Sequence, residues 1–480
     1  METLDKKENL FIKFFGDKTF LKVVIAVFLP ILIQNAITNF VNLLDNIMVG
    51  KIGTEQMSGV AISNQVFFVF NLCIFGAVSG VGIFTAQYYG AKDYEGVRNT
   101  LRFALYACAL LLVVAELLFL LADEQLISLF LHEGGGEGDI AATLEYGRQY
   151  LRIMTIGLPA FAVTSAYANT LRTTGHSTPP MVTGLIAVGV NLFLNYVLIY
   201  GHLGAPVLGV KGAAIATVVS RYVEATIIVA YSHISKKTAF FKEVYKTLRI
   251  SLVNVKKFTM KGLPVMLNET LWSMGMTTLV QSYSVRGLDV VAAINISNTL
   301  FNFFHAGIIS MGVSVGIIIG NLLGANKLEE AKKTDNRLIA ISLILSLILG
   351  GVMAAIAKFF PLIYNTTDLV REEATAFIFI AAMVMPVNAI LNAAYFTIRA
   401  GGKTFMTFLF DNGMIWAVNV PLSLILSRLT DIPIIPLYAI INACDLLKMT
   451  VGIVLLKKGT WCRCIVNVAQ QTSIEEGEVD

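Results

Sequence analysis

Stretches of about 20 apolar residues recur along this chain, each long enough for a helix to cross roughly 30 Å of hydrocarbon at about 1.5 Å per residue. That recurring length constrains the fold more than any motif does. Of the 480 residues, 56% are hydrophobic and 14% are charged, so a soluble fold would leave too much apolar surface in water. We expect an all-α membrane protein with twelve spans, near 22–47, 60–86, 101–121, 147–170, 180–200, 211–232, 262–284, 293–320, 338–359, 374–398, 405–427 and 433–456. Helices are the expected form because backbone polar groups in lipid must be bonded within the segment. The alternating segments of about 10 residues that mark a transmembrane barrel are absent.

Net charge is only +4, so the location of charge says more than its total. With the N-terminus placed in the cytoplasm, the inner segments collect Lys6, Lys7, Lys13 and Lys18, then Lys92, Arg98 and Arg172. They also collect the bases from Lys236 to Lys261, Lys327 to Arg337, Arg399, Lys403, Lys457, Lys458 and Arg463. The outer loops hold Lys51, Arg286, Arg371 and Arg428, and the third-to-fourth loop, Asp123 to Asp139, is acidic and glycine-rich. This is the positive-inside pattern. It predicts cytoplasmic termini and a multi-pass protein of the plasma membrane. The five cysteines have no disulfide or zinc spacing. The first residues show no cleavable signal. We expect a monomer in the bilayer, with no nucleic-acid partner.

The chain also repeats itself. Residues 62–95 align without gaps on 296–329: Ile62-Ser63-Asn64 on Ile296-Ser297-Asn298, Phe67 on Phe301, Gly82 on Gly316, Gly90-Ala91 on Gly324-Ala325 and Glu95 on Glu329. Pro30 matches Pro264 in the same register, and a second block pairs Pro159 with Pro386, Arg172 with Arg399 and Gly175 with Gly402. Two six-helix halves with an even span count are parallel repeats related by an axis along the membrane normal. The expected organisation is an N-terminal six-helix lobe (1–232), a basic cytoplasmic linker (233–261), a C-terminal six-helix lobe (262–456) and a cytoplasmic tail (457–480).

Several motifs in order resemble the multidrug and toxic compound extrusion (MATE) family. They are Asp45-Asn-Ile-Met-Val-Gly50 with Gly53, Gln87-Tyr-Tyr-Gly90-Ala91, Pro159 through Arg172 to Pro179-Pro180, and Asn195-Tyr-Val-Leu-Ile-Tyr-Gly201. Gly209-x-x-Gly212-Ala213, Gly262-Leu-Pro264, Gly320-Asn-Leu-Leu-Gly324-Ala325 and Arg399-Ala-Gly401-Gly402 complete the set. The resemblance implies two pseudo-symmetric six-helix lobes and an antiporter without cofactor. Such a protein exports organic cations, drugs among them, against inward-moving sodium or protons.

Ionised groups within a bilayer are costly, at least about 2.5–3.5 kcal/mol near a helix centre, so acids there point to function. Those in the expected spans are Asp45, Glu116, Glu224, Glu269, Asp411 and Asp445. Asp45 lies beside Asn42 and Asn46 and near Asn39, and a carboxylate among amide oxygens is suited to sodium or a proton. Its alternative reading is a helix-end acid at the interface. The resemblance adds Asn191, Asn195 and Thr217 to the Asp45 site. Asn195 stands where some relatives carry an aspartate, which weakens a two-acid proton mechanism. Their plain role would be hydrogen bonding between helices.

Glu269 follows Pro264, a residue that removes a backbone bond and can kink the helix. Asn268 adjoins it and Trp272 lies at i+3, on the same face. An acid beside an aromatic is suited to a hydrophobic cation. Asp411, near Asn412 and Trp416, is a further substrate-site candidate. Arg221 with Glu224, and Lys448 with Asp445, have the spacing of ion pairs on one helix face and read as structural. Two other functions are open: a flippase for lipids or lipid-linked sugars, and a membrane-embedded lipid-modifying enzyme. The first would need a cavity rich in cations, and only Arg221 and Lys448 fall within the expected spans. The second would need a catalytic cluster or phosphate loop, which the sequence does not show.

Overall fold

In the computed structural model, residues 15–128, 139–364 and 366–466 are described, and the helices follow the repeat closely. In order they are α1 (Lys18–Gly50), α2 (Thr54–Gly90), α3 (Tyr94–Leu121), the short α4 (Asp123–Ser128), α5 (Ile140–Thr155), α6 (Leu158–Thr173), α7 (Thr178–Tyr200) and α8 (Val210–Ile234). Then come α9 (Leu252–Ser284), α10 (Leu288–Gly324), α11 (Leu328–Ile356), α12 (Asp368–Ala400), α13 (Thr404–Met414), α14 (Val420–Leu429) and α15 (Ile434–Lys457). Helices α1 and α9 are each 33 residues long, and α2 and α10 are each 37, with ends at equivalent positions. The turn after each of the longer pair is set by an equivalent residue in the left-handed region, Lys92 (φ 59°) and Asn326 (φ 57°).

Among the described residues ten helices are long and apolar enough to cross a bilayer. The bent pair α5–α6, turned by 53°, gives an eleventh. Pro159, in the first turn of α6, cannot donate the backbone bond that would continue α5. The expected span at 262–284 lies within α9, a continuous helix that is not among these ten; it carries Lys256, Lys257, Lys261 and Glu269. Where twelve spans were expected, ten or eleven therefore meet the requirement.

The described chain groups into two units, each taken here by itself. The first draws on Met1–Leu32, Ala86–Asp93 and Leu267–Asp480, and the second on Ile33–Thr85 and Tyr94–Met266. In the first, α12 is the central helix, with α10, α11 and α15 packed around it. Its buried positions Ala374, Phe377, Ile378, Ala381, Ala382, Met385 and Ala389 follow helical spacing. The alanines let neighbours approach closely, as membrane helices require. In the second unit α8 packs on α7, α6 and α5. A Cβ at Gly212 would sit 2.5 Å from the Leu198 carbonyl oxygen, so this crossing needs glycine.

The basic segment after α8 forms a 3-10 turn, Lys236–Lys246, with Phe240, Phe241 and Val244 buried. Arg98 donates to the Phe240 carbonyl at 3.0 Å and buried Arg102 to that of Val244 at 2.8 Å. The segment is thus pinned to α3 on its apolar side while its lysines face outward.

The acidic loop also proves more structured than its charge suggests. Asp123 is buried and accepts from Arg152 Nε at 2.6 Å, Arg148 Nε at 3.3 Å and the Glu124 amide at 2.9 Å. The glycine-rich stretch around Glu133 and Glu137 lies outside the described residues. Burial alone would raise the Asp123 carboxyl, but the two arginines outweigh it and hold it below the usual carboxylate range. Replacing it by Ala should cost about 1–3 kcal/mol near neutral pH, because two guanidinium groups lose their acceptor. A carboxyl with a depressed folded pKa stabilises above its unfolded value, about 3.9, and loses that contribution as pH falls through the folded value. The gap in Tm between wild type and Asp123→Ala should therefore close as pH falls below about 4. A gap independent of pH would rule the carboxylate out as its source.

Candidate functional site

Two polar clusters stand out, one in each unit. In the second unit Asp45, in the last part of α1, accepts from Asn195 Nδ2 at 2.7 Å. Asn195 Nδ2 also donates to Asn191 Oδ1 at 3.2 Å, and Asn191 Nδ2 donates to Thr217 Oγ1 at 3.2 Å. The i, i+4 spacing puts both asparagines on one face of α7, and Thr217 comes from α8. All four residues expected for a cation site are thus joined in one chain. Asn195 is buried, and its Oδ1 has no hydrogen-bond donor. Buried acceptors are rarely left so, and each needs a reason. A carboxylate with amide and hydroxyl oxygens is a donor set for a hard cation. Of the expected companions, Asn39 is exposed, and the side chains of Asn42 and Asn46 lie outside the described residues.

Two residues extend this cluster. Tyr150, buried on α5, is hydrogen-bonded to Thr217 and feels the Asp45 charge. Arg221 faces Asp45 electrostatically, pairs with Glu224 at 3.1 Å and lies over the Phe161 ring at 5.5 Å. The expected Arg221–Glu224 pair is present. Further along, Arg172 donates to Gln34 Oε1 at 2.6 Å while its Nε is buried and unpaired.

The first unit holds the second cluster. Asn268 Nδ2 donates to Asp411 Oδ2 at 3.1 Å and contacts Tyr395 Oη at 3.2 Å. Tyr395 donates to Glu269 Oε1 at 3.2 Å. Arg399 Nη1 lies 3.6 Å from Glu269 and 3.4 Å from Tyr395 Oη. Asn412 Nδ2 donates to Asn268 Oδ1 at 2.7 Å, which locks the amide's orientation. Glu269, Asn268 and Asp411 therefore belong together. Trp272 does not join them: it is 36% exposed and makes no hydrogen bond among the described residues.

Lys448 corrects the sequence reading. Its spacing pointed to Asp445 on its own helix, but its ammonium contacts Asp411 of α13 directly. Asp445 is hydrogen-bonded to Asn419 instead. The local cause is a π turn at Ile415–Asn419 between α13 and α14. Pro421 cannot donate to the carbonyl four residues back, and a wider turn accommodates that loss. Asn419 and Trp416 lie within this turn; Trp416 donates to the Leu271 carbonyl at 3.1 Å.

Arg399 and Arg172 were placed in loops by their flanking glycines, yet each lies in the last turn of a helix, and Arg399 is only 4% exposed. With them the count of cations within the helices rises, and the sequence-based case against a cation-rich cavity weakens. Asp335, also overlooked, is buried in α11 and accepts from Thr397 Oγ1 at 2.5 Å. Its setting in the basic run Lys332-Lys333-Thr334-Asp335 gave the look of a surface residue. Among the described residues no three His, Cys, Asp or Glu side chains gather as a metal centre.

The MatE family model matches residues 30–197 and 264–425. A probable multidrug resistance protein of Bacillus subtilis (strain 168), YoeA, is 25% identical over 417 residues, 85% of this chain and 87% of that protein. A probable multidrug resistance protein of Thermotoga maritima, NorM, is 22% identical over 449 residues, 92% and 93% of the two chains. Among solved structures, MATE in the bent conformation superposes with a TM-score of 0.82 at 19% identity, covering 92% of this chain and 95% of that one. An outward-facing multidrug resistance MATE transporter of the MOP superfamily gives 0.80 at 20% identity, with the same coverage.

Proposed function

The chain belongs to the MATE family of membrane carriers, which are secondary transporters rather than enzymes, and on that premise we propose that it exports organic cations across the plasma membrane in exchange for sodium or protons. In this reading twelve spans form lobes 1–232 and 262–456, joined by 233–261, with the tail 457–480 and the N-terminus in the cytoplasm. A monomer works by alternating access. The relatives' description as probable multidrug resistance proteins supports the substrate class.

The observation that carries the coupling assignment is the unpaired Asn195 Oδ1 beside Asp45. Asp45, Asn191, Asn195 and Thr217 would hold the coupling cation, while Glu269, Asn268 and Asp411 meet the substrate. Trp272 can take part only through its half-exposed ring. Sodium in the Asp45 cluster would take the free amide oxygen as a ligand; a proton would take the carboxylate alone.

The test is dye export from proteoliposomes with sodium and proton gradients imposed separately. One gradient should drive export and the other should not. Export at an unchanged rate with both gradients collapsed would overturn the antiport reading. Glu269→Gln should weaken binding of cationic dyes about tenfold, because it leaves the Arg399 charge uncompensated, and should change neutral dyes little. Equal effects on both classes would assign Glu269 a structural role.

A further inference from the structure

We propose that the polar cluster of the first unit is a receptor for a zwitterion, a small molecule with a protonated amine and a carboxylate, rather than for a bare cation. This rests on reading that cluster as the substrate site. Its two ends differ in charge balance. At one end Asp411 and Asp445 share a single base, Lys448, and Asp445 makes no ion pair among the described residues. Acid is in excess there, and a ligand amine has a place.

At the other end the imbalance is reversed. Arg399 is 96% buried, given its 4% exposure, and a guanidinium stays charged under all conditions in a protein. Its contacts are long, 3.4 Å to Tyr395 Oη and 3.6 Å to Glu269 Oε1, and both run through Nη1. Among the described residues its other two nitrogens make no hydrogen bond. A planar fork with free donors matches a carboxylate bidentately. The guanidinium also lies over the Tyr395 and Phe396 rings at 5.7 Å each, and the Lys448 ammonium over Phe410 at 5.6 Å. These rings favour the charged bases while a ligand exchanges their partners.

The two ends are joined through Asn268 and Tyr395 alone. A ligand amine would bind Asp411 and Asp445 while its carboxylate bound Arg399, and Asn268 and Tyr395 would face the atoms between. A bare cation fills only the acidic end and leaves the Arg399 fork unused.

The probes are rhodamine 110, which carries a free carboxylate, and rhodamine 123, its methyl ester. Binding is read by fluorescence anisotropy on the full-length protein in lipid nanodiscs. Rhodamine 110 should bind at least about tenfold more tightly, since a site built for a polar group rejects an analogue lacking it. Arg399→Gln should erase that preference and leave ester binding within about threefold of wild type. Arg399→Lys keeps the charge without the fork, and should retain only part of the preference even if the glutamine variant fails to fold. Equal or tighter binding of the ester by wild type, or no binding of rhodamine 110, overturns the proposal. Gradient-driven export of rhodamine 123 separates the two readings. If export proceeds without any preference for the carboxylate, only this inference falls. If no gradient drives either dye, the antiporter reading falls.

Discussion

Replacing Asp45 by Asn should reduce gradient-driven dye export by at least about a hundredfold while yield and Tm stay close to wild type. The amide has the size of the carboxylate, so Asn195 Nδ2 keeps an acceptor and the chain to Asn191 and Thr217 can persist. What disappears is the negative charge that would exchange a small cation for vacancy. Arg221, which faces this position electrostatically, would then act on an uncharged group and oppose cation entry further. The measurement is initial export rate per reconstituted protein, beside thermal unfolding of the same sample. Full export by a well-folded variant would remove Asp45 from the coupling step.

This cluster was legible in the sequence because polar residues stand out where lipid should make them expensive. Asp45, Asn191, Asn195 and Thr217 interrupt apolar helices, and the structure joins them. Glu269, Asn268 and Asp411 were visible for the same reason. Their partners were not. Lys448 has Asp445 at the spacing of an ion pair on one helix face, and nothing along the chain shows that Asp411 of another helix comes closer. Arg399 was hidden by Ala400-Gly401-Gly402, which marks a turn but says nothing about where the preceding side chain points. Tyr395 looked like one more aromatic in an apolar run. Helix lengths and ends transferred well through the repeat. The break between α5 and α6 was missed, although Pro159 had been noticed for its match to Pro386. A proline in the first turn of a helix ends the one before it, whereas Pro386 lies inside α12.

The repeat also meets itself, and the second large effect is expected there. A Cβ built on Gly324 would sit 1.9 Å from the Gln87 carbonyl oxygen, and one on Gly90 would sit 2.0 Å from that of Asn321. Gly90 and Gly324 are repeat equivalents, and so are Gln87 and Asn321. The end of α2 and the end of α10 therefore cross backbone to backbone, each glycine receiving the other helix. Gly324→Ala would gain at most about 1 kcal/mol in helix propensity. Against that stands an overlap with main-chain atoms that no rotamer can relieve, costing about 1–3 kcal/mol or more. We expect a sharp loss of folded yield and a lowered Tm in detergent. Gly351, in α11, has nothing within 4 Å of its built Cβ, and Gly351→Ala should leave Tm equal or slightly higher. Equal Tm values for wild type and the Gly324 variant would show that the crossing is not tightly packed in solution.

The five-residue π turn at Ile415–Asn419 has the form of a single-residue insertion into an α-helix. It divides one span into a chemical half and a packing half: Asp411 and Asn412 lie upstream, and buried Ser423 and Ser427 lie downstream. Deleting Ala417 would close the turn and rotate everything after it by about 100° about the helix axis. Selection could therefore tune the ligand chemistry upstream without disturbing how the outer end seats, and length variants in this stretch should mark shifts in cargo.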